Sequence, residues 1–292
     1  MQYHLTHQTL YRYHQPVQLG VHTIRLRPRS DGHQQLRHFA ITVEPQPTQI
    51  SEILDVEGNA CLRLWFPDVP TTALKIRTEA QVATFCTNPF NYLSEPWAIS
   101  APIDYPSSVA AHLQPYLQPV PSVAMSPAVV EFAQGLLNEV AGQVGQFLSR
   151  LTQIIYEDFQ YLNRPVGEPQ LAGVTIAQKV GSCRDFAVLF MAACQAVGLA
   201  ARFVSGYQEG DEHQDSRELH AWPEVYLPGG GWRGFDPTHG LAVSDRHIPL
   251  VASAQPANAA PVSGQLKPGS VGASTLEYEI HIAREQASER KG

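Results

Sequence analysis

The sequence predicts an α+β fold, with a cysteine-bearing helix packed on an antiparallel sheet and a β-rich, sandwich-like region ahead of it. Three observations carry that prediction. The first hundred residues are short alternating stretches separated by turn residues, and helical apolar periodicity dominates the middle of the chain. Strand-like segments then follow the helices in a block, without the strand-helix-strand alternation of a parallel sheet.

Residues 1–105 carry the strand signals: Tyr3, Leu5 and His7 alternate, and Leu10–Tyr13, Phe39–Val43, Cys61–Phe66 and Leu74–Thr78 continue the pattern. Asp31-Gly32 and Glu57-Gly58-Asn59 supply turns between them, a spacing suited to an antiparallel sandwich-like domain. Eight prolines between Pro89 and Pro127 oppose regular structure and mark a connection, taken as 106–126, with room for short helical turns near Val109–Leu117. The core is expected over 127–250. It begins with a helical segment, Pro127–Phe159, with Val129, Ala133 and Leu136 on one apolar face and Phe147, Leu151 and Ile155 on another. After the turn Asn163-Arg164-Pro165 come a short helix near Val174–Lys179, the cysteine helix, and strands at Ala201–Tyr207, Leu219–Leu227 and Trp232–Asp236. In 251–292, the Ala-, Pro-, Gly- and Ser-rich stretch from Ala252 to Ser274 reads as an extended loop. A terminal strand, 275–283, presents Leu276, Tyr278, Ile280 and Ile282 on one face and is expected to return to the β-rich sheet. The charged tail Arg284–Gly292 is expected to fray.

Composition narrows the function classes. A chain of 292 residues with 43% hydrophobic and 16% charged residues is globular, and a net charge of −7 argues against nucleic acid as the main partner. No apolar run reaches the roughly 18 residues of a spanning helix. The N-terminus lacks the basic start and apolar stretch of a signal peptide. Cys61, Cys86, Cys183 and Cys194 show no Cys-x-x-Cys spacing, so reduced thiols and a cytoplasmic location are expected. His4 and His7 sit in a strand pattern with no carboxylate partner apparent, so no metal is assigned, and no cofactor motif is present.

The chemistry concentrates at Gly181-Ser182-Cys183-Arg184-Asp185-Phe186-Ala187. Ser182 is a good N-cap, and Asp185 three residues on completes a capping-box pattern. The apolar stripe Ala187, Phe190, Met191, Cys194 and Val197 follows, with Gly198 placed to end the helix. Cys183 is then the first helical residue, where unpaired N–H groups and the helix dipole favour thiolate. A lone cysteine on an apolar helix is commonly a small buried hydrophobe, which suits Cys194 and not Cys183. Downstream, His220 and Asp236 complete the types a cysteine nucleophile needs: a base, and a group to fix the base's tautomer. Their meeting depends on the hairpin at Pro228-Gly229-Gly230-Gly231. A four-residue loop sets Asp236 opposite Pro223 and turns it away from His220; a five-residue loop or a bulge at Pro223 restores the shared face, so a register irregularity is expected there. Tyr207, Trp222 and Trp232 are candidates to line a cleft or simply to be buried, and Arg202 to pack or pair.

These blocks, with Ala201–Tyr207, His220-Ala221-Trp222 and Gly231–Thr238, resemble the transglutaminase-like superfamily, and more narrowly its bacterial branch of cysteine peptidases. The resemblance covers about residues 150 to 250, and the β-rich first hundred residues look like the N-terminal region that accompanies that core. It implies a papain-like α+β core with Cys183 as nucleophile, His220 as base and Asp236 as orienting acid. The family includes protein cross-linkers, peptidases, amidases and catalytically dead scaffolds, so the reaction stays open. Where many relatives carry Arg-Asp-Tyr, this chain has Val251-Ala252-Ser253-Ala254-Gln255-Pro256.

The oxyanion of such a reaction would be met by the Cys183 N–H, with Gln178 or Tyr161 as a second donor. Water is the default acceptor of the thioester, because amine transfer needs a site that excludes water. The expectation is a thiol hydrolase of peptide or isopeptide-like amide bonds in a peptide or protein substrate. A transglutaminase or amide ligase is the alternative, and a non-catalytic peptide-binding module the alternative of another class.

Overall fold

The alternation of the N-terminal residues builds six strands: β1 (Gln2–Val17), β2 (Leu19–Ile24), β3 (Gln34–Glu44), β4 (Gln49–Leu54), β5 (Ala60–Trp65) and β6 (Thr71–Thr84). The computed structural model describes residues 1–119, 126–210, 217–270 and 272–285. Residues 120–125 of the proline-rich connection and 286–292 of the charged tail lie outside the described residues. The helices follow: α1 (Ser107–Leu117), α2 (Pro127–Glu139), α3 (Val144–Asp158), α4 (Ala172–Gln178) and α5 (Cys183–Ala196), with the two-residue strands β7 (Gln160–Tyr161) and β8 (Val180–Gly181) beside the last two. Then come β9 (Ala201–Gln208), β10 (Leu219–Leu227), β11 (Gly231–Asp236), β12 (Leu241–Ala242), β13 (His247–Ser253), β14 (Val262–Leu266) and β15 (Ser274–Arg284).

Three antiparallel sheets result, in the orders β15-β1-β6-β3, β14-β2-β5-β4 and β12-β11-β10-β9-β13, with β7 and β8 forming a short parallel pair. The terminal strand pairs with β1 from Tyr3 opposite Arg284 to Tyr13 opposite Ser274. Inward-facing Leu5, Leu74 and Ile76 of one N-terminal sheet and Ile24 and Leu64 of the other join a single buried apolar cluster, which continues into the helices.

Several elements differ from expectation, each for a local reason. The segment Pro127–Phe159 is two helices, because Ala141 (φ 50°) and Gly142 (φ 79°) take left-handed backbone between them. The proline-rich connection holds a full helix, α1, rather than isolated turns, with Pro115 inside it. The expected extended loop from Ala252 to Ser274 contains the end of β13, a 3-10 turn at Pro256–Ala259 and all of β14. That strand is composed by its partner: Val262 faces Ile24 and Gly264 faces His22 across a pairing remote in sequence.

Helix α5 is the centre of the core. Its run from Ala187 to Cys194 is wholly buried, as an all-round apolar helix must be. It is covered by α2 and α4 and by β9 and β10. Phe190 stacks on Phe235 of β11, with ring centroids 5.7 Å apart. Among the described residues no helix is long and apolar enough to cross a membrane.

Candidate active site

The start of α5 is held by one buried carboxylate. Asp185 Oδ2 accepts the Ser182 N–H at 2.7 Å and the Ser182 hydroxyl at 2.8 Å, while Oδ1 accepts the Gln170 N–H at 2.7 Å and Arg164 Nη2 at 2.6 Å. Burial works against charge on Asp185, but these donors and the guanidinium hold its carboxyl below the usual range. The loop 164–170 and the helix start are thereby fixed together, with Cys183 as the first helical residue, as the cap pattern predicts. Its side chain is nearly covered, with the residue 7% exposed.

The partner side chains arrive on the β10–β11 hairpin. Leu227 faces Gly231 and Glu224 faces Gly234, so the connection is the three residues 228–230. Pro228 and Gly229 (φ 84°) occupy the centre of a type II turn closed by the Gly230 N–H to the Leu227 carbonyl at 2.8 Å. The expected four-residue loop and irregularity at Pro223 are therefore corrected: Gly231 already belongs to the strand. Continuing this register sets Asp236 opposite Trp222, on the face that His220 shares. The paired ladder to β11 ends beside Pro223, which has no N–H to contribute.

His220 Nε2 lies 2.8 Å from Asp236 Oδ2, and the Cys183 sulfur is near enough to bear on the same imidazole. Burial opposes an imidazolium here, but the Asp236 carboxylate and the Cys183 sulfur outweigh it and push His220 up to about 10. Asp236 is fully buried; its desolvation is overcome by His220 and by hydrogen bonds from His239 and His247, which hold the carboxyl well below its ordinary value.

Two histidines not foreseen from the sequence complete this cluster. His239 Nδ1 and His247 Nε2 lie 2.8 and 2.9 Å from the same Oδ2, and Oδ1 accepts the N–H groups of Thr238 and His239 at 3.0 and 3.3 Å. The Asp236-Pro237-Thr238-His239 turn was a local signal for His239. Nothing near His247 announces its role. The ligand atoms of His220, Asp236 and His239 lie within 4.8 Å of one another. Atoms sharing a tetrahedral metal at about 2.0 Å would sit about 3.3 Å apart, whereas the 2.8 Å contacts are ordinary hydrogen-bond lengths.

Cys183 and His220 open onto a cleft whose far wall is the N-terminal sheet, including Thr9 of β1 and Tyr278 and Ile280 of β15. At its rim Glu218 accepts Asn163 Nδ2 at 2.7 Å and the Tyr278 hydroxyl at 3.1 Å. Tyr161 lines this cleft, its hydroxyl raised by desolvation and by the neighbouring Cys183, whereas Gln178 does not. Tyr207, Trp222 and Trp232 are packing residues: Tyr207 binds His7 Nδ1 at 2.8 Å, Trp222 lies fully buried against His220 and His247, and Trp232 sits under Arg202. Arg202 also pairs with Glu224 at 2.6 Å. His7 is a satisfied core histidine bonded to Tyr207 and Thr9, and burial lowers it to about 4. His4, contrary to expectation, has a carboxylate partner in Glu285 beside β15.

A cysteine at the start of a buried helix, with histidine and aspartate on the antiparallel sheet it packs against, defines an α+β thiol-site architecture. Residues 131–237 match the family model described as the transglutaminase-like superfamily, and residues 3–83 match the bacterial transglutaminase-like N-terminal region. The chain belongs to the transglutaminase-like superfamily. Its fold is similar to that of a putative cysteine protease from Cytophaga hutchinsonii, with a TM-score of 0.73 at 20% identity, covering 99% of this chain and 92% of that one. An uncharacterized protein of Mycobacterium tuberculosis is 29% identical over 276 residues, covering 90% of this chain and 86% of its own length. A protein-glutamine gamma-glutamyltransferase of Pseudomonas aeruginosa is 30% identical over 101 residues, 32% of this chain and 15% of that protein.

Proposed function

We propose that this protein is a thiol hydrolase that cleaves peptide or related amide bonds of a peptide or protein substrate through a thioester on Cys183. The observation that carries the reading is the buried His220–Asp236 contact of 2.8 Å, with Cys183 bearing on the same imidazole and lining the same cleft. With Nε2 committed to Asp236, Nδ1 is the nitrogen left to serve the sulfur. The imidazolium pairs with the attacking thiolate, which adds to the amide carbonyl. The Cys183 N–H at the helix start, aided by the Tyr161 hydroxyl, receives the oxyanion. Nδ1–H then protonates the departing amine, and the neutral ring takes a proton from the water that releases the acid. Asp236 keeps the ring's tautomer and orientation throughout.

Water is favoured as acceptor because, among the described residues that line the cleft, none singles out an amine. Amine transfer is the second reading, favoured by the similarity of the Pseudomonas glutamyltransferase. The four unpaired cysteines support a reducing compartment, and we place the protein in the cytoplasm on that ground. Mass spectrometry of casein-like substrates with an added primary amine tests the reaction. Cleavage or deamidation that disappears in Cys183→Ala is expected. Amine incorporation in excess of hydrolysis would replace the hydrolase with a transferase. A wild-type Cys183 that iodoacetamide alkylates no faster than Cys86 at neutral pH would leave only a peptide-binding module.

A further inference from the structure

Asp236 has a donor that a cysteine-histidine-aspartate arrangement does not require. His247 is the first residue of β13, two strands beyond β10, and is 3% exposed. The register puts it on the same face as the reacting groups: His220 lies opposite Gly206, Gly206 opposite Pro249, and His247 two residues from Pro249. Gly206 makes this reach possible, because a Cβ there would stand 2.5 Å from the Trp222 ring and 2.4 Å from the Ile248 carbonyl. The ring of His247 packs edge-on against Trp222 at 5.3 Å. Its Nδ1 accepts the Ser244 N–H at 3.5 Å, which leaves the proton on Nε2, aimed at Asp236 Oδ2 at 2.9 Å.

We propose that His247 is a positioning residue for the reaction at Cys183: a neutral, buried N–H donor that shares the Asp236 carboxylate with His220 and tunes how tightly His220 is held. The proposal rests on the reading of Cys183, His220 and Asp236 as the reacting set. The titratable groups facing His247 are Asp236, His220 and His239. Burial lowers His247 while Asp236 and the sulfur raise His220, so of these two imidazoles on one carboxylate, one is the cation and the other a neutral donor. A neutral donor steadies Oδ2 without neutralising it. It also draws off part of the oxygen's accepting capacity, which keeps His220 able to release its proton to a leaving amine.

The pH profile of Cys183 alkylation by iodoacetamide, followed by peptide mass spectrometry, tests this without a known substrate. Its alkaline inflection reports His220. In His247→Leu and His247→Asn, which place no donor at Oδ2, the inflection should move up by about one pH unit, because the carboxylate then bears on His220 with one competitor fewer. Asp236 keeps its other four donors, so its orientation survives. His247→Gln, whose amide nitrogen reaches the Nε2 position, should leave the inflection where it is in the wild type. If His247→Leu does not fold by circular dichroism, the Asn–Gln comparison decides alone. Profiles of Leu and Asn that superimpose on the wild type, or a Gln profile shifted like theirs, would reduce His247 to packing. A wild-type profile without a His220-dependent inflection overturns the parent reading instead, and this proposal with it.

Discussion

The His220–Asp236 contact should be visible in the stability of the whole protein on the alkaline side. His220 rises from 6.5 to about 10 in the folded state. Its contribution is therefore complete below pH 6.5 and is lost as pH climbs toward 10. At about 1.4 kcal/mol per unit, the 3.5-unit interval between those two values sets a ceiling of about 5 kcal/mol, of which about 4 is gone by pH 9.5. Asp236, depressed by the same contact, is not counted again. The assay is urea unfolding under reducing conditions from pH 6 to 9.5, comparing wild type with His220→Gln. Stopping at 9.5 keeps the buried tyrosines out of the difference. The wild-type advantage over His220→Gln should shrink by several kcal/mol across that range, and Cys183→Ala should retain the part owed to Asp236. A difference that stays flat with pH would mean that His220 is neutral in the folded state, and the ion-pair account of the site would be wrong.

Other perturbations test the supports of the site. Asp185→Asn keeps the shape of the α5 cap but removes the charge facing Arg164; it should cost about 3 kcal/mol in urea unfolding at pH 7 and slow Cys183 alkylation, with the wild-type advantage starting to decline below about pH 4 and lost only as pH falls through the depressed value of the folded carboxyl. Gly206→Ala forces a methyl to within 2.5 Å of Trp222 and should cost about 2 kcal/mol by thermal melting; a neutral result would show that the strands part freely there. Tyr278→Phe loses only the 3.1 Å bond to Glu218, so stability should fall by less than about 1 kcal/mol. Because that bond lies at the cleft rim, KM for a substrate found by mass spectrometry should rise with kcat unchanged.

The site was legible in proportion to how local its determinants are. The Gly-Ser-Cys-Arg-Asp start carries its cap within four residues, and the structure closes that cap as the pattern requires. The meeting of His220 with Asp236 depended on one residue of loop length. Counting Gly231 in the turn sends Asp236 to the wrong face, whereas Pro228-Gly229 makes a tighter turn and returns it. That the two residues belong together was readable; the geometry that unites them was not. His247 and β14 were illegible for another reason. Both are defined by partners far along the chain, Asp236 for one and β2 for the other, and no local period marks them. The break between α2 and α3 was available in Gly142 and in the change of apolar face between Leu136 and Phe147.

The placement of β15 ties the ends of the chain to the chemistry. β1 lies between β15 and β6, and β1 and β15 together present Thr9, Tyr278 and Ile280 to the cleft that Cys183 opens onto. Tyr278 reaches across to Glu218, two residues before His220. Neither the β-rich region nor the helical core encloses that cleft alone. Deleting the chain from residue 274 onward would unpair all of β1 from Tyr3 to Tyr13 on one side and strip a wall from the cleft, while leaving Cys183, His220 and Asp236 on their own elements. Such a truncated protein should therefore keep the pH signature of Cys183 alkylation while losing discrimination among substrates. A truncation that abolished the signature would instead show that the N-terminal sheet supports the His220–Asp236 contact itself, through the Tyr207 hydroxyl bonded to His7 and the β9 strand that carries it.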